Sequence, residues 1–131
     1  MADTEKVSMN MSVVDLGHID LLVDQGFYSS RTDFLRAAIR SQLERHDEVV
    51  KQTVVRRTIA MGAVVYDRAS LERFQSNGEM VKIKVLGLVN LANDITPELA
   101  RATIQSVEVF GAFRASPAVK EALADRIVRG I

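Results

Sequence analysis

The first regular pattern along the chain is an alternation of polar and apolar residues at positions 6–11, Lys-Val-Ser-Met-Asn-Met. A period of two predicts a β-strand, because successive side chains of a strand point to opposite faces. The apolar face of this strand holds Val7, Met9 and Met11. The polar face holds Lys6, Ser8 and Asn10.

Two amphipathic helix patterns follow the strand. Ser12 is an N-cap for the first helix, which ends at Gly26. Ser30 caps the second helix, with Asp33 three residues later, and the apolar spacing predicts a helix from about residue 31 to residue 51. The apolar stripe of this second helix consists of Leu35, Ala38, Ile39, Leu43, Val49 and Val50.

These first elements are too few to fold alone. One strand and two helices in about 50 residues make a very small core, and a single strand has no sheet partner. Both needs are met if residues 6–11 of two chains pair as an antiparallel ribbon over four helices. We therefore expect an obligate homodimer, whose core includes Val7, Met9, Met11, Leu35, Ile39 and Leu43.

The order and spacing of these elements resemble the ribbon-helix-helix family of DNA-binding proteins, of the Arc, MetJ and CopG type. The resemblance covers residues 5–51 and is most specific at 26–36, Gly-Phe-Tyr-Ser-Ser-Arg-Thr-Asp-Phe-Leu-Arg. It implies that paired strands enter the major groove of double-stranded DNA. The residues that it places on base edges are Lys6, Ser8 and Asn10. The residues that it places on phosphates, at the start of the second helix, are Ser29, Ser30 and Arg31.

A different pattern occupies the second half of the chain. Three glycine-centred apolar stretches, at residues 60–64, 85–89 and 109–113, are each followed by a helical pattern. The helical patterns cover residues 67–74, 96–104 and 116–128. Strand–helix units at a nearly constant period predict a small βα repeat with a parallel sheet. A compact sandwich that contains three βα units is the alternative.

The predicted fold is therefore α+β with two domains. Residues 1–51 form a ribbon-helix-helix domain in a swapped-strand dimer, for DNA binding and dimerisation. Residues 52–131 form a three-unit βα-repeat domain for oligomerisation, effector binding or partner binding, and assembly of dimers into a tetramer or larger stays open. The joint at residues 52–57 has no Pro, Gly or Ser, which favours a helix end or a strand start over a flexible linker.

Composition limits the chemistry. The 131 residues contain no cysteine, which excludes disulfides and thiolate metal sites. The only histidines are His18 and His46, and no catalytic or phosphate-loop motif is present. We therefore expect no enzyme, no metal and no cofactor. Gln42 and His46 are interpreted as a polar pair in the dimer interface.

Charge and hydropathy give the remaining expectations. The 17 basic and 17 acidic residues cancel, which argues against coating nucleic acid through bulk positive charge but allows a small DNA-reading face. Residues 1–51 carry a net charge of −3 and residues 52–131 a net charge of +3. No apolar run is long enough to cross a membrane and no secretion signal is visible, so we expect a cytoplasmic protein.

The favoured function is a sequence-specific DNA-binding transcriptional regulator that acts as a dimer or higher oligomer. One alternative is an antitoxin of a toxin–antitoxin pair, with autoregulatory DNA binding. The other is an assembly or scaffold protein in which the ribbon-helix-helix part only dimerises.

Overall fold

The structure, a computed structural model, describes residues 4–129. Its elements are, in chain order, α1 (Val13–Asp24), α2 (Arg31–Arg45), α3 (Asp47–Arg56), β1 (Ala60–Tyr66), α4 (Arg68–Ser76), β2 (Val81–Leu91), α5 (Pro97–Thr103), β3 (Ile104–Arg114), α6 (Pro117–Ala122) and β4 (Ile127–Arg129). These residues form two compact units. The N-terminal unit is Lys6–Thr53, and the C-terminal unit comprises residues 4–5 and 54–129. Within residues 4–129, no helix is long and apolar enough to cross a bilayer.

The starts of α1 and α2 lie where the sequence predicts them. The Ser12 side chain accepts a hydrogen bond from the Asp15 amide at 3.2 Å, and the Ser30 side chain accepts one from the Asp33 amide at 3.1 Å. Gly26, just after α1, has a φ of 86°, a conformation that favours glycine. Both starts depend on contacts within one helical turn, which explains why the sequence pattern locates them.

The predicted end of the second helix at residue 51 is wrong. α2 ends at Arg45, and α3 begins at Asp47 and continues to Arg56. His46 interrupts the helix with φ −108° and ψ 11°, and its Nδ1 lies 3.0 Å from the Gln42 carbonyl oxygen. The apolar stripe continues through this break, so hydrophobic spacing does not reveal it. The joint at residues 52–57 contains the end of α3, as expected.

The C-terminal unit contains a parallel sheet of four strands in the order β1-β2-β3-β4, and its parallel character was predicted. The three helices that follow β1, β2 and β3 each begin at a capping side chain. Asp67, Thr96 and Ser116 accept hydrogen bonds from amides three residues later, at 2.7, 3.1 and 3.2 Å. Pro97 and Pro117 each occupy the first helical position, where a missing N–H costs nothing.

The prediction of a helix over residues 116–128 is wrong in its second half. α6 ends at Ala122, and Ile127–Arg129 form β4, which pairs with β3 at Val107 and Glu108. The chain reverses because the Arg126 amide bonds to the Leu123 carbonyl at 2.8 Å. The Arg126 guanidinium also donates to the Ile104 carbonyl at 2.8 Å, which holds the turn against the start of β3.

The core of the C-terminal unit lies on one face of this sheet. Alternate residues of β2 are buried there, namely Ile83, Val85, Val89 and Leu91. They share one hydrophobic cluster with buried residues of the helical segments, among them Leu71, Leu99, Val119 and Leu123. The opposite face of β2 holds side chains that are exposed or half-buried, Lys82, Lys84, Leu86, Leu88 and Asn90. We call this second surface of the sheet the open face.

The glycines of the three apolar stretches lie side by side. Gly62 pairs with Gly87, and Gly87 pairs with Gly111, in adjacent strands. Their φ angles are 117°, 138° and 128°, which L-residues rarely adopt. A Cβ at Gly87 would overlap the Gly62 carbonyl oxygen, and one at Gly111 would overlap the Gly87 carbonyl oxygen. At Gly62 the same space is open, because β1 is the outermost strand.

Candidate nucleic-acid interface

Residues 6–11 expose both of the faces that the sequence distinguishes. Lys6, Ser8 and Asn10 are exposed, in a stretch that has no helix or strand within a single chain. The apolar positions are also open to solvent, since Val7 is 85% and Met9 is 74% exposed, while Met11 is half-buried. A strand at residues 6–11 needs a second chain to pair with, so its formation stays a prediction.

The helices of the N-terminal unit are equally uncovered. Ile19 is the one buried residue in α1, and α2 and α3 contain none. On the predicted apolar stripe, Ile39 is 58% and Leu43 is 63% exposed. Several large apolar side chains exposed on one predicted helix stripe are typical of a surface that packs against a partner.

The start of α2 carries a compact set of hydrogen bonds. Ser30 accepts from the Asp33 amide, and the Asp33 carboxylate accepts from the Ser29 amide at 3.0 Å. Two of the predicted phosphate-binding residues, Ser29 and Ser30, therefore take part in the helix cap. The amides of Arg31 and Thr32 belong to the first turn, where N–H groups have no acceptor within the helix. Such amides are available to an anion.

The third predicted phosphate-binding residue, Arg31, is already paired. Its Nε lies 2.7 Å from Asp20 Oδ1 and its Nη2 lies 2.8 Å from Asp20 Oδ2. This bidentate salt bridge joins α2 to α1. The hydrogen bond from Arg31, reinforced by its positive charge, lowers the pKa of Asp20. Sequence reasoning missed Asp20, because it lies eleven residues before Arg31 and no helical spacing relates the two positions.

An aromatic contact supports the turn into α2. The rings of Tyr28 and Phe34 meet edge to face, with centroids 5.0 Å apart and planes at 86°. Both side chains are half-buried, whereas the neighbouring Phe27 is exposed. This contact fixes the direction in which the chain enters the helix that carries the cap.

The residues just before Lys6 belong to the C-terminal unit. The Arg114 guanidinium donates to the Glu5 carboxylate at 2.6 Å and to the Thr4 carbonyl at 3.0 Å. A groove of about 300 Å³ adjoins this contact, lined by Thr4, Glu5, Gly62, Ala63, Gly87, Leu88, Ala112 and Arg114. Arg114 thus neutralises the acidic residue next to the predicted DNA-reading segment.

A second cationic group lies at the other end of the open face. The guanidinium carbons of Arg57 and Arg129 lie 5.3 and 4.8 Å from the Phe110 ring centroid, and Arg57 also pairs with Glu108. The described residues, 4–129, include no cluster of three or more His, Asp or Glu side chains that could hold a metal ion.

The helices of the N-terminal unit and the parallel sheet define a mixed helix-and-strand protein with a ribbon-helix-helix region. The model of the ribbon-helix-helix transcriptional regulator family matches residues 2–120, and the chain belongs to this family. The match extends far beyond residues 5–51, which carry the resemblance in the sequence, and takes in β1, β2 and β3. No curated protein and no solved structure matches the chain.

Proposed function

We propose that this transcriptional regulator binds specific DNA sequences as a dimer, with residues 6–11 of two chains paired in the major groove. One observation carries the proposal. In a chain of this family, residues 6–11 expose an apolar face and a polar face at alternating positions. A second chain supplies the missing strand, so that one face enters a core and the other meets DNA.

The dimer core in this proposal joins strand and helix residues from both chains. Its members are Val7, Met9, Met11, Leu35, Ile39 and Leu43. The large exposure of Val7, Ile39 and Leu43 in one chain supports their burial against a partner. Burial of each such side chain stabilises the folded dimer by about 1.5–3 kcal/mol. The N-terminal unit needs this contribution because it buries so few residues within one chain.

The outward residues have side chains that can read base edges. Lys6 donates to the guanine O6 and N7 acceptors, and Asn10 pairs with adenine through two hydrogen bonds. Ser8 both donates and accepts. All three side chains are exposed in a single chain.

Phosphate binding is assigned to the start of α2. The Arg31 and Thr32 amides and the positive end of the helix dipole attract a phosphate oxygen. The hydroxyls of Ser29 and Ser30 add donors at the same place. The Arg31 side chain can bind a phosphate only if it shares or breaks its contact with Asp20. Asp20 therefore lowers the affinity of the protein for DNA.

The charge distribution limits the affinity. The N-terminal part of the chain, residues 1–51, has a net charge of −3, so attraction to DNA comes from a few local groups that the dimer doubles. The logarithm of the binding constant falls linearly with the logarithm of the salt concentration, and each phosphate that these groups neutralise adds about 0.9 to the steepness of that line. We therefore expect modest affinity that falls steeply with added salt.

The proposed division of the chain follows the predicted domains. Residues 1–51 dimerise and bind DNA, and residues 52–131 form a βα repeat that joins dimers or binds a partner. A scaffold without DNA binding is the second candidate. It is favoured by the negative charge of the N-terminal part and by the pairing of the Arg31 guanidinium with Asp20. Full-length protein that forms large assemblies and ignores all DNA would support the scaffold.

The test is selection of bound sequences from random DNA, followed by binding of the selected site by variants. Lys6→Ala and Asn10→Ala should each lose about 1–3 kcal/mol of discrimination against the altered base pair. Lys51→Ala is the matched control, because Lys51 is an exposed lysine on α3 that pairs with Asp47. Unchanged base preference in both reading-face variants would contradict the proposal.

A further inference from the structure

The outer edge of β1 has no neighbour within one chain. β1 is the first strand in the sheet order, and among the described residues it pairs only with β2. Its first four residues, Ala60 to Ala63, are exposed, and Val65 is 66% exposed. Unpaired N–H and C=O groups along such an edge are a template for another strand.

Two cavities lie beside this edge. A cavity of about 480 Å³ lies along β1, lined by Thr58, Ala60, Val64, Tyr66, Lys82, Ile83, Lys84 and Val85. A second cavity of about 360 Å³ is lined by Val65, Tyr66, Ser70, Arg73, Phe74, Asn77 and Glu79. Val64 and Tyr66, on the core side of β1, line these cavities and are only half-buried in a single chain.

We propose that the β1 edges of two copies of this chain pair antiparallel about Ala63, joining two four-stranded sheets into one of eight strands. The inference rests on the proposed function, because the ribbon-helix-helix dimer supplies the second copy. Only residues 57–59 separate α3, which begins in the N-terminal unit, from β1.

Side-chain sizes along β1 suit this register. In an antiparallel pair centred on Ala63, Ala60 lies opposite Tyr66 of the second copy, and Gly62 lies opposite its Val64. Each small residue then faces a large one, on the side of the sheet where the core lies. Tyr66 of the second copy comes to the cavity beside Ala60, which has room for an aromatic ring. On the open face, Met61 meets Val65.

Two further features favour a two-fold contact. Pairing by a two-fold axis uses both β1 edges at once and leaves neither exposed, which closes the assembly. The unusual conformation of Gly62 is compatible with pairing, because the ladder to β2 runs through Gly62 and Gly87 without a register shift. No atom lies within 4 Å of the Cβ position of Gly62, so a neighbouring strand has space.

A single cysteine tests the pairing, since the natural chain has none. Directly opposed residues of antiparallel strands have Cα atoms about 4.5–5.5 Å apart, within the range of a disulfide. Full-length Ala63→Cys should form a disulfide-linked dimer under mild oxidation about tenfold faster than Val128→Cys, at a rate independent of protein concentration. Val128 is the matched control, as it is 73% exposed on β4 at the opposite edge of the sheet.

Equal rates for the two variants would overturn the inference. So would a mixed sample in which Ala63→Cys cross-links to Val128→Cys but not to itself, because that result means a head-to-tail contact of β1 with β4. Binding of the selected DNA site is measured on the same samples. An uncross-linked protein that binds DNA contradicts the edge pairing alone, and a cross-linked protein that ignores DNA contradicts the proposed function alone.

Discussion

At the scale of single residues, Gly87 and Gly111 show the tightest requirement in the molecule. Each has a positive φ, and each faces a carbonyl oxygen of the preceding strand where a side chain would begin. Gly62 shares the conformation but has open space beside it. The recurrence of the three glycines was visible in the sequence, whereas their side-by-side register was not.

This contrast predicts a graded series of alanine substitutions. Gly62→Ala should cost about 1–3 kcal/mol of unfolding free energy, from backbone strain alone. Gly87→Ala should cost more, because the new methyl group also overlaps the Gly62 carbonyl oxygen. Urea denaturation followed by Tyr66 fluorescence, in a Tyr28→Phe background, measures both losses.

Gly17→Ala is the control for the substitution itself. Gly17 lies inside α1 with nothing within 4 Å of its Cβ position, so alanine should stabilise the helix by up to about 1 kcal/mol. Gly17 belongs to the N-terminal unit, so its effect is measured by Tyr28 fluorescence in a Tyr66→Phe background. Equal losses at Gly62 and Gly87 would mean that the close approach of β1 and β2 has no energetic importance.

At the scale of elements, the Arg31–Asp20 contact joins α1 to α2 within the N-terminal unit. It holds the helix start that we assign to phosphate binding, and it pairs the guanidinium that we propose for a phosphate contact. Because Arg31 lowers the pKa of Asp20 in the folded chain, the contact stabilises the fold above the unfolded pKa of about 3.9. That stabilisation is lost as the pH falls through the lower, folded pKa.

Asp20→Asn should therefore weaken the acid dependence of stability below about pH 4. In DNA binding the same substitution should raise affinity and steepen the salt dependence, by up to about 2 in the logarithmic slope for a dimer, because Arg31 becomes available to a phosphate. Denaturation between pH 2 and 5 and titrations in increasing salt measure these effects. Asp24→Asn, at the end of α1, is the control, and an identical response in both variants would refute the role of Asp20.

At the scale of the whole molecule, the two units differ in how their cores are made. The C-terminal unit buries a cluster of its own, including Leu71, Ile83 and Phe113, whereas the N-terminal unit buries one side chain of its helices. Each unit also holds one of the two tyrosines, Tyr28 in the N-terminal unit and Tyr66 in the C-terminal unit.

This difference predicts two unfolding transitions. In a Tyr66→Phe variant, Tyr28 fluorescence should report a transition whose midpoint rises with protein concentration, because a partner chain completes that core. Adding Leu43→Lys should abolish this transition, while the transition reported by Tyr66 in the Tyr28→Phe variant persists. A single transition that ignores both concentration and Leu43→Lys would contradict a dimeric N-terminal core.

The sequence by itself determined the features that depend on near neighbours. The caps at Ser12 and Ser30 follow from residue types three positions apart. The glycine at the centre of each apolar stretch is likewise visible in the few residues around it. The ribbon-helix-helix family was recognisable for the same reason, since its helix caps and its strand pattern are local.

Only the tertiary structure decided the features that depend on distant residues. Asp20 pairs with Arg31, and Glu5 pairs with Arg114 from 109 positions away. The turn after α6 is held against the start of β3 by Arg126, which donates to the carbonyl of Ile104, 22 residues earlier. The next three residues, Ile127–Arg129, pair with β3 as β4 and do not extend the helix. Hydrophobic spacing reports which side of an element is buried, but it does not report what the element packs against, and in these places the packing decided the structure.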